Sequence, residues 1–119
     1  MRHDNLRDRT FNYALASIKA VRPLIGDPLG RHLVGQIVRS SASVASNYTS
    51  ACHAKSRPDF AAKISIVAEE ASETVLCLRL MVELELLKNA AVQTLIAEGQ
   101  ELVAIAVASA RTARRPRTV

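Results

Sequence analysis

Gln36-Ile37-Val38-Arg39-Ser40-Ser41-Ala42-Ser43-Val44-Ala45-Ser46-Asn47-Tyr48, with the junction Ser56-Arg57-Pro58-Asp59 and the run Glu69-Glu70-Ala71-Ser72-Glu73 after it, decides the fold. Two helical patterns meet at that junction. Each carries polar side chains at helical spacing inside otherwise apolar sequence: Arg39, Ser40, Ser43 and Asn47 on the first, Glu69, Glu70 and Glu73 on the second. Such groups are costly to bury unless they pair. They are therefore expected to meet across a helix interface as a partly buried Arg–Glu network that fixes register, with Ser and Asn filling the remaining hydrogen bonds. If the carboxylates are buried, Arg39→Ala leaves one uncompensated and is strongly destabilising.

Outward from this stretch, punctuation marks four helices. The first spans about residues 4–21, with Leu6, Phe11, Ala14, Ile18 and Val21 near helical spacing and Pro23 as its stop. Gly26-Asp27-Pro28 combines a turn with a helix start, Asp27 as N-cap and Pro28 at the first helical position. The second helix then runs to about Ala54, with Leu33, Ile37, Val44 and Tyr48 inward. Gly35 lies inside it, a cost of about 1 kcal/mol against Ala that is tolerable if another backbone packs close. Ser56-Arg57-Pro58-Asp59 repeats the start signal for a third helix, about residues 58–87. One stripe on it holds Phe60, Ile64, Val67, Ala71, Val75, Leu78 and Val82; a second holds Ile66, Leu76, Leu80, Leu84 and Leu87. One stripe serves a bundle core, so the second points to self-association. The fourth helix covers about residues 91–110, with Leu95, Ile96, Leu102, Val103, Ile105 and Ala106 apolar and Gly99 as an internal weak point. Residues 111–119 read as a basic, flexible tail beyond a bundle domain of residues 1–110. Short connections between long helices imply an all-α, up-down-up-down antiparallel four-helix bundle.

Composition agrees with that architecture. Of 119 residues, 49% are apolar but only 3% aromatic, so the core must be built from Ala, Val, Ile and Leu. The net charge of +5 is unevenly spread. Residues 1–55 hold eight basic and three acidic side chains, residues 56–104 four basic and eight acidic, and the remainder four Arg and no acid. Segregated charge favours helix-to-helix pairing or a basic surface offered to an anionic partner. The start lacks an apolar signal core, and no apolar run approaches the roughly 20 residues that cross a bilayer. Cys52 and Cys77 lie in helical patterns without metal-type spacing. A cytoplasmic protein with reduced thiols and no membrane association is expected.

The run Ile37 to Tyr48, the junction from Ala51 to Lys63 and the helix from Ile66 to Glu73 resemble the bacterial four-helix-bundle proteins. These are also called intervening-sequence or S23-type proteins, because some are encoded within insertions in large-subunit ribosomal RNA genes. The resemblance rests on Arg39, Ser40, Ser43, Asn47, Phe60, Lys63, Glu70 and Glu73 together. It implies a cytoplasmic bundle assembled as a homopentamer. It also implies kinship with accessory proteins of diversity-generating retroelements, which share the fold and contact reverse transcriptase and nucleic acid. Enzymatic activity is not established for the group.

Chemistry-bearing constellations are thin. No Glu-x-x-His motif accompanies the carboxylates, so a dinuclear metal centre is not expected, and His53 with Cys52 lacks further zinc ligands. Arg39, Ser43 and Asn47 with the three Glu have no His to activate a Ser nucleophile. The expected protein is non-enzymatic, without cofactor or metal. Its basic residues Arg2, Arg7, Arg9, Lys55, Arg57, Arg111, Arg114, Arg115 and Arg117 are candidates for RNA or DNA backbone contacts in a ribonucleoprotein. Without base-stacking aromatics among them, sequence-specific single-strand readout is not expected. The alternative is a structural or adaptor protein acting through self-assembly and a protein partner.

Overall fold

Start and stop signals in the sequence place most helix boundaries in the computed structural model, which describes residues 3–116. Helix α1 is His3–Val21, followed by a 3₁₀ turn, Arg22–Gly26, in which Pro23 removes an amide donor. Helix α2 is Pro28–Cys52; the Asp27 carboxylate accepts the Gly30 N–H at 2.6 Å, the N-cap expected. Helix α3 is Arg57–Glu83, capped by Ser56 Oγ accepting the Asp59 N–H at 3.1 Å. Helix α4 is Asn89–Arg114. The described residues form a four-helix bundle with α1 against α2, α2 against α3, α3 against α4, and only a short contact between α1 and α4. Its extents are 56 × 21 × 21 Å.

Two boundaries differ from expectation. Helix α3 stops at Glu83 rather than Leu87, because the chain closes a Schellman motif. The Leu86 N–H donates to Met81 O at 2.8 Å and the Glu85 N–H to Val82 O at 3.0 Å. Glu85 sits at the left-handed position with φ 61°, where glycine is the usual residue. Helix α4 continues to Arg114, so the segment expected to leave the bundle at Arg111 begins as helix. By length and mean hydropathy (1.3) α4 is also apolar enough to cross a bilayer, contrary to the expectation that no segment is. In the bundle, Val92, Leu102, Ala106 and Ala110 from α4 are instead core residues.

The core has two apolar halves. One gathers Tyr13, Val44, Tyr48, Ile64, Val67 and Leu102; the other gathers Val21, Leu33, Ile37, Leu78, Met81 and Val92. Between them on three of the four helices lie buried hydroxyls: Ser17 on α1, Ser40 and Ser41 on α2, Thr74 on α3. Ser40 Oγ and Thr74 Oγ1 share a hydrogen bond at 2.6 Å, and Thr74 also donates to Glu70 O at 2.9 Å. This polar waist explains why the apolar stripe expected on α1 was misplaced. Its inward face is Thr10, Tyr13, Ala14, Ser17 and Val21, while Phe11 is 60% exposed.

The crowded glycine is Gly99, approached by side chains, and not Gly35. A Cβ on Gly99 would lie 2.5 Å from Val75 Cγ2 and closer still to the Tyr13 hydroxyl, whereas one on Gly35 meets nothing within 4 Å. Glycine at position 99 thus lets Tyr13 of α1 reach α4.

Candidate nucleic-acid interface

Antiparallel packing brings the end of α2, the start of α3 and the end of α4 to one pole of the bundle. Lys55 and Arg57 lie on the α2–α3 connection and first turn; Arg111 and Arg114 lie on the last turn of α4, with Arg115 as its C-cap. The pole's parts are locked together. The Arg57 guanidinium donates to Thr112 O and Arg115 O, both at 3.1 Å; Thr112 O also accepts the Arg115 N–H at 3.2 Å, so Arg57 is a second donor there and the side-chain donor to the Arg115 carbonyl. Arg114 Nη2 donates to Ser65 Oγ on α3 at 3.0 Å. Asp59 is the carboxylate at this pole. It accepts from Lys63 Nζ at 2.8 Å and from the Lys55 N–H at 3.0 Å, and these donors hold its carboxyl below the usual range.

Two shallow grooves open beside these arginines. One, of about 580 Å³, lies between α3 and α4 over Ala68, Val107 and Ala110, rimmed by Arg111, Arg114 and Arg115. The second, of about 630 Å³, is lined by Arg57, Pro58, Ala61, Ala113, Arg114 and Arg115. Neither lining contains a carboxylate. Arg111 and Arg115 have no carboxylate partner among the described residues. A concave basic surface without acids raises the local concentration of phosphate groups.

The other basic residues divide. Arg7 is exposed beside an apolar groove of about 660 Å³ between α1 and α2, where Phe11 and Leu15 are also exposed. Arg9 was expected on the basic surface, but its guanidinium turns to α4. It donates to Glu98 at 2.9 and 2.7 Å and also pairs with Glu101. With Arg9 only 17% exposed, these carboxylates raise its pKa further, Glu98 contributing most. Arg2 and Arg117 lie outside the described residues.

The expected polar network separates into three parts. Arg39 pairs with Glu73 and, at 3.2 Å, with Glu70, joining α2 to α3. Glu73 leads in raising the Arg39 pKa, with the charge of Glu70 next. This pair lies at the rim: Arg39 is 55% exposed, so the large loss anticipated for a buried partner does not apply. Ser40 turns inward to Thr74 instead of joining it. Asn47 donates to Ser43 O at 3.0 Å and to Ser43 Oγ at 2.9 Å, a contact within α2 rather than across the interface. Glu69 is exposed and stands outside the network. The reason is angular: on α2, Ser40 is one residue round from Arg39 and therefore faces the core.

Sequence reasoning missed Glu98, Glu101, Thr74 and Ser65, and read Gly99 only as a weak point of its helix. Glu98 and Glu101 carried a signal, being three residues apart on one face of α4 and thus able to share one cation. Thr74 and Ser65 carried none distinguishable from ordinary polar helix residues. Among the described residues, no group of three His, Cys, Asp or Glu could hold a metal ion. Cys52 and Cys77 are free thiols, and burial pushes the Cys77 thiol up.

Comparison with known proteins agrees with this architecture. A crystal structure of a protein of unknown function from the S23 ribosomal protein family of Bacteroides thetaiotaomicron superposes with TM-score 0.84 at 23% identity, covering 93% of this chain and 99% of that one. That likeness speaks to the fold. No curated protein matches the sequence. Residues 8–108 match the 23S rRNA-intervening sequence protein family, whose span takes in all four helices. The chain belongs to the 23S rRNA-intervening sequence protein family.

Proposed function

We infer that this protein is a non-enzymatic helical bundle that engages the backbone of RNA or DNA through its basic pole, in a ribonucleoprotein context. The observation that carries the reading is the gathering of Arg57, Arg111, Arg114 and Arg115 around two grooves whose linings hold no carboxylate. Phosphate contacts of this kind need no base-edge readout. The family's description, which ties its members to intervening sequences of 23S rRNA, supports the same direction. No residue set described above combines a nucleophile with a base.

Self-association is part of the proposal. The resemblance implies five copies, and two exposed apolar surfaces support assembly: the α1–α2 groove with Phe11 and Leu15, and the α3 ridge of Leu76, Leu80 and Leu84. Repeating a basic pole in one particle strengthens weak phosphate contacts. The same surfaces favour a second reading, an adaptor that acts through self-assembly and a protein partner in the cytoplasm.

Light scattering on the purified chain, with and without RNA or duplex DNA at low and high salt, separates the two. A multimer of the 12.9 kDa chain that gains mass with nucleic acid only at low salt is expected. A multimer indifferent to nucleic acid at every salt concentration selects the adaptor reading.

A further inference from the structure

The groove between α3 and α4 differs from the rest of the basic pole in having an apolar floor. Ala110 is 4% exposed and Val107 40% exposed, and Ala68 is half-buried beside them. Three arginines stand along its edge, Arg111, Arg114 and Arg115. Duplex nucleic acid offers a protein surface mainly phosphates and sugars, so docking it here leaves the floor wet. An unpaired strand presents planar apolar faces alternating with phosphates at a spacing one groove can meet.

We propose that this groove receives an unstacked base of single-stranded nucleic acid on Ala68, Val107 and Ala110, with the flanking phosphates on Arg111, Arg114 and Arg115. The inference rests on the backbone-binding reading above and narrows it to unpaired strands. Small side chains at positions 68 and 110 let a flat ring lie close to both helices. Ser65, the hydroxyl that also lines the groove, accepts from Arg114 at 3.0 Å, and the floor itself is Ala and Val, so every base is accepted and no sequence is read. Arg57 acts as a positioning residue. By filling the Thr112 and Arg115 carbonyls it removes the exposed negative end of α4 from the path of an anion.

The test compares a short single-stranded DNA with an oligonucleotide of equal length whose bases are all replaced by abasic tetrahydrofuran sites. Both carry the same number of phosphates. Fluorescence anisotropy at fixed low salt is read for the wild-type chain and for Val107→Gln, a substitution at a partly exposed position that leaves charge unchanged. The apolar area of one covered base face sets the expected effect at roughly three- to tenfold weaker binding of the abasic strand by wild type. Val107→Gln is expected to lose that difference by weakening its binding of the base-bearing strand. Equal wild-type affinity for the two strands overturns the base-on-floor proposal and leaves backbone binding standing. Failure of both strands and of duplex DNA to bind overturns the backbone reading and this proposal with it.

Discussion

At one end of the bundle, Ser56 caps α3, Asp59 reaches back to the Lys55 N–H, and Arg57 supplies donors to the last carbonyls of α4. At the other end, α3 stops on Glu83, Leu84 and Glu85, with no basic residue in its last turn and with Glu85 in the left-handed region. Cations stabilise a helix C-terminus and anions disfavour it. Helix α4 therefore ends in agreement with its dipole, through Arg111 and Arg114, while α3 ends against its own. The contrast separates structural charge from available charge. Arg57 is accounted for by the carbonyls it satisfies. Arg111 and Arg115 hold no carboxylate among the described residues, and they are the groups left for a partner.

Breaking the contrast at the basic pole has the largest expected effect. Reversing Arg111, Arg114 and Arg115 together to Glu weakens binding of a single-stranded oligonucleotide by at least about tenfold at low salt. Reversing Arg79 and Lys88, on the far half of the bundle, leaves binding within about twofold; anisotropy titrations of both variants check the pair. Deleting residues 111–119 is a poorer test, because it removes the carbonyls that hold Arg57.

Next in size is Arg57→Ala. It leaves the Arg115 carbonyl without its side-chain donor and the Thr112 carbonyl with the Arg115 N–H alone, and lowers stability by about 1 kcal/mol, read as a lower urea midpoint. A similar but opposite change is expected at the other pole. Glu85→Gly relieves a left-handed non-glycine residue and raises stability by about 0.5–1 kcal/mol, after the greater freedom of glycine in the unfolded chain is subtracted. An unchanged urea midpoint for Glu85→Gly would remove strain from the description of the α3–α4 turn.

The smallest effect is in acid. The folded-state pKa of Asp59 is depressed by Lys63 and the Lys55 N–H, so its contribution is complete above the ordinary carboxylate value near 3.8. It is lost as pH falls through the depressed folded value. The thermal midpoint of Asp59→Asn should therefore trail that of wild type at about pH 6 and converge with it as acid protonates both states. A gap that widens in acid would contradict the sign.

Helix number, order and antiparallel topology were legible because Pro23, Asp27-Pro28 and Ser56-Arg57-Pro58-Asp59 each force a local event. The Arg39 contact with Glu70 and Glu73 was legible for a similar reason, since a face of one charge needs a partner. Depth was not. Helical periodicity placed Arg39 near an interface without saying that Ser40 takes the buried side and Arg39 the rim. Arg9 shows the complementary failure. Its neighbours in sequence are charged and its partners lie 89 and 92 residues away, so nothing local marked it as paired. Gly35 and Gly99 looked alike in sequence, and only the approach of Tyr13 from α1 distinguishes them. The basic pole was legible as a list of residues but not as a place. The end of α4 must pack on the start of α3 before Arg57 and the arginines from Arg111 to Arg115 become one surface.

The most direct measurement is the salt dependence of single-strand binding by the full chain, compared with the variant reversed at Arg111, Arg114 and Arg115. For wild type the logarithm of the association constant is expected to fall linearly with the logarithm of salt concentration, at about 0.7 per phosphate neutralised. The variant should show a slope shallower by about two or more. A salt-independent affinity, or equal slopes for the two proteins, would contradict the assignment of the basic pole as the nucleic-acid surface.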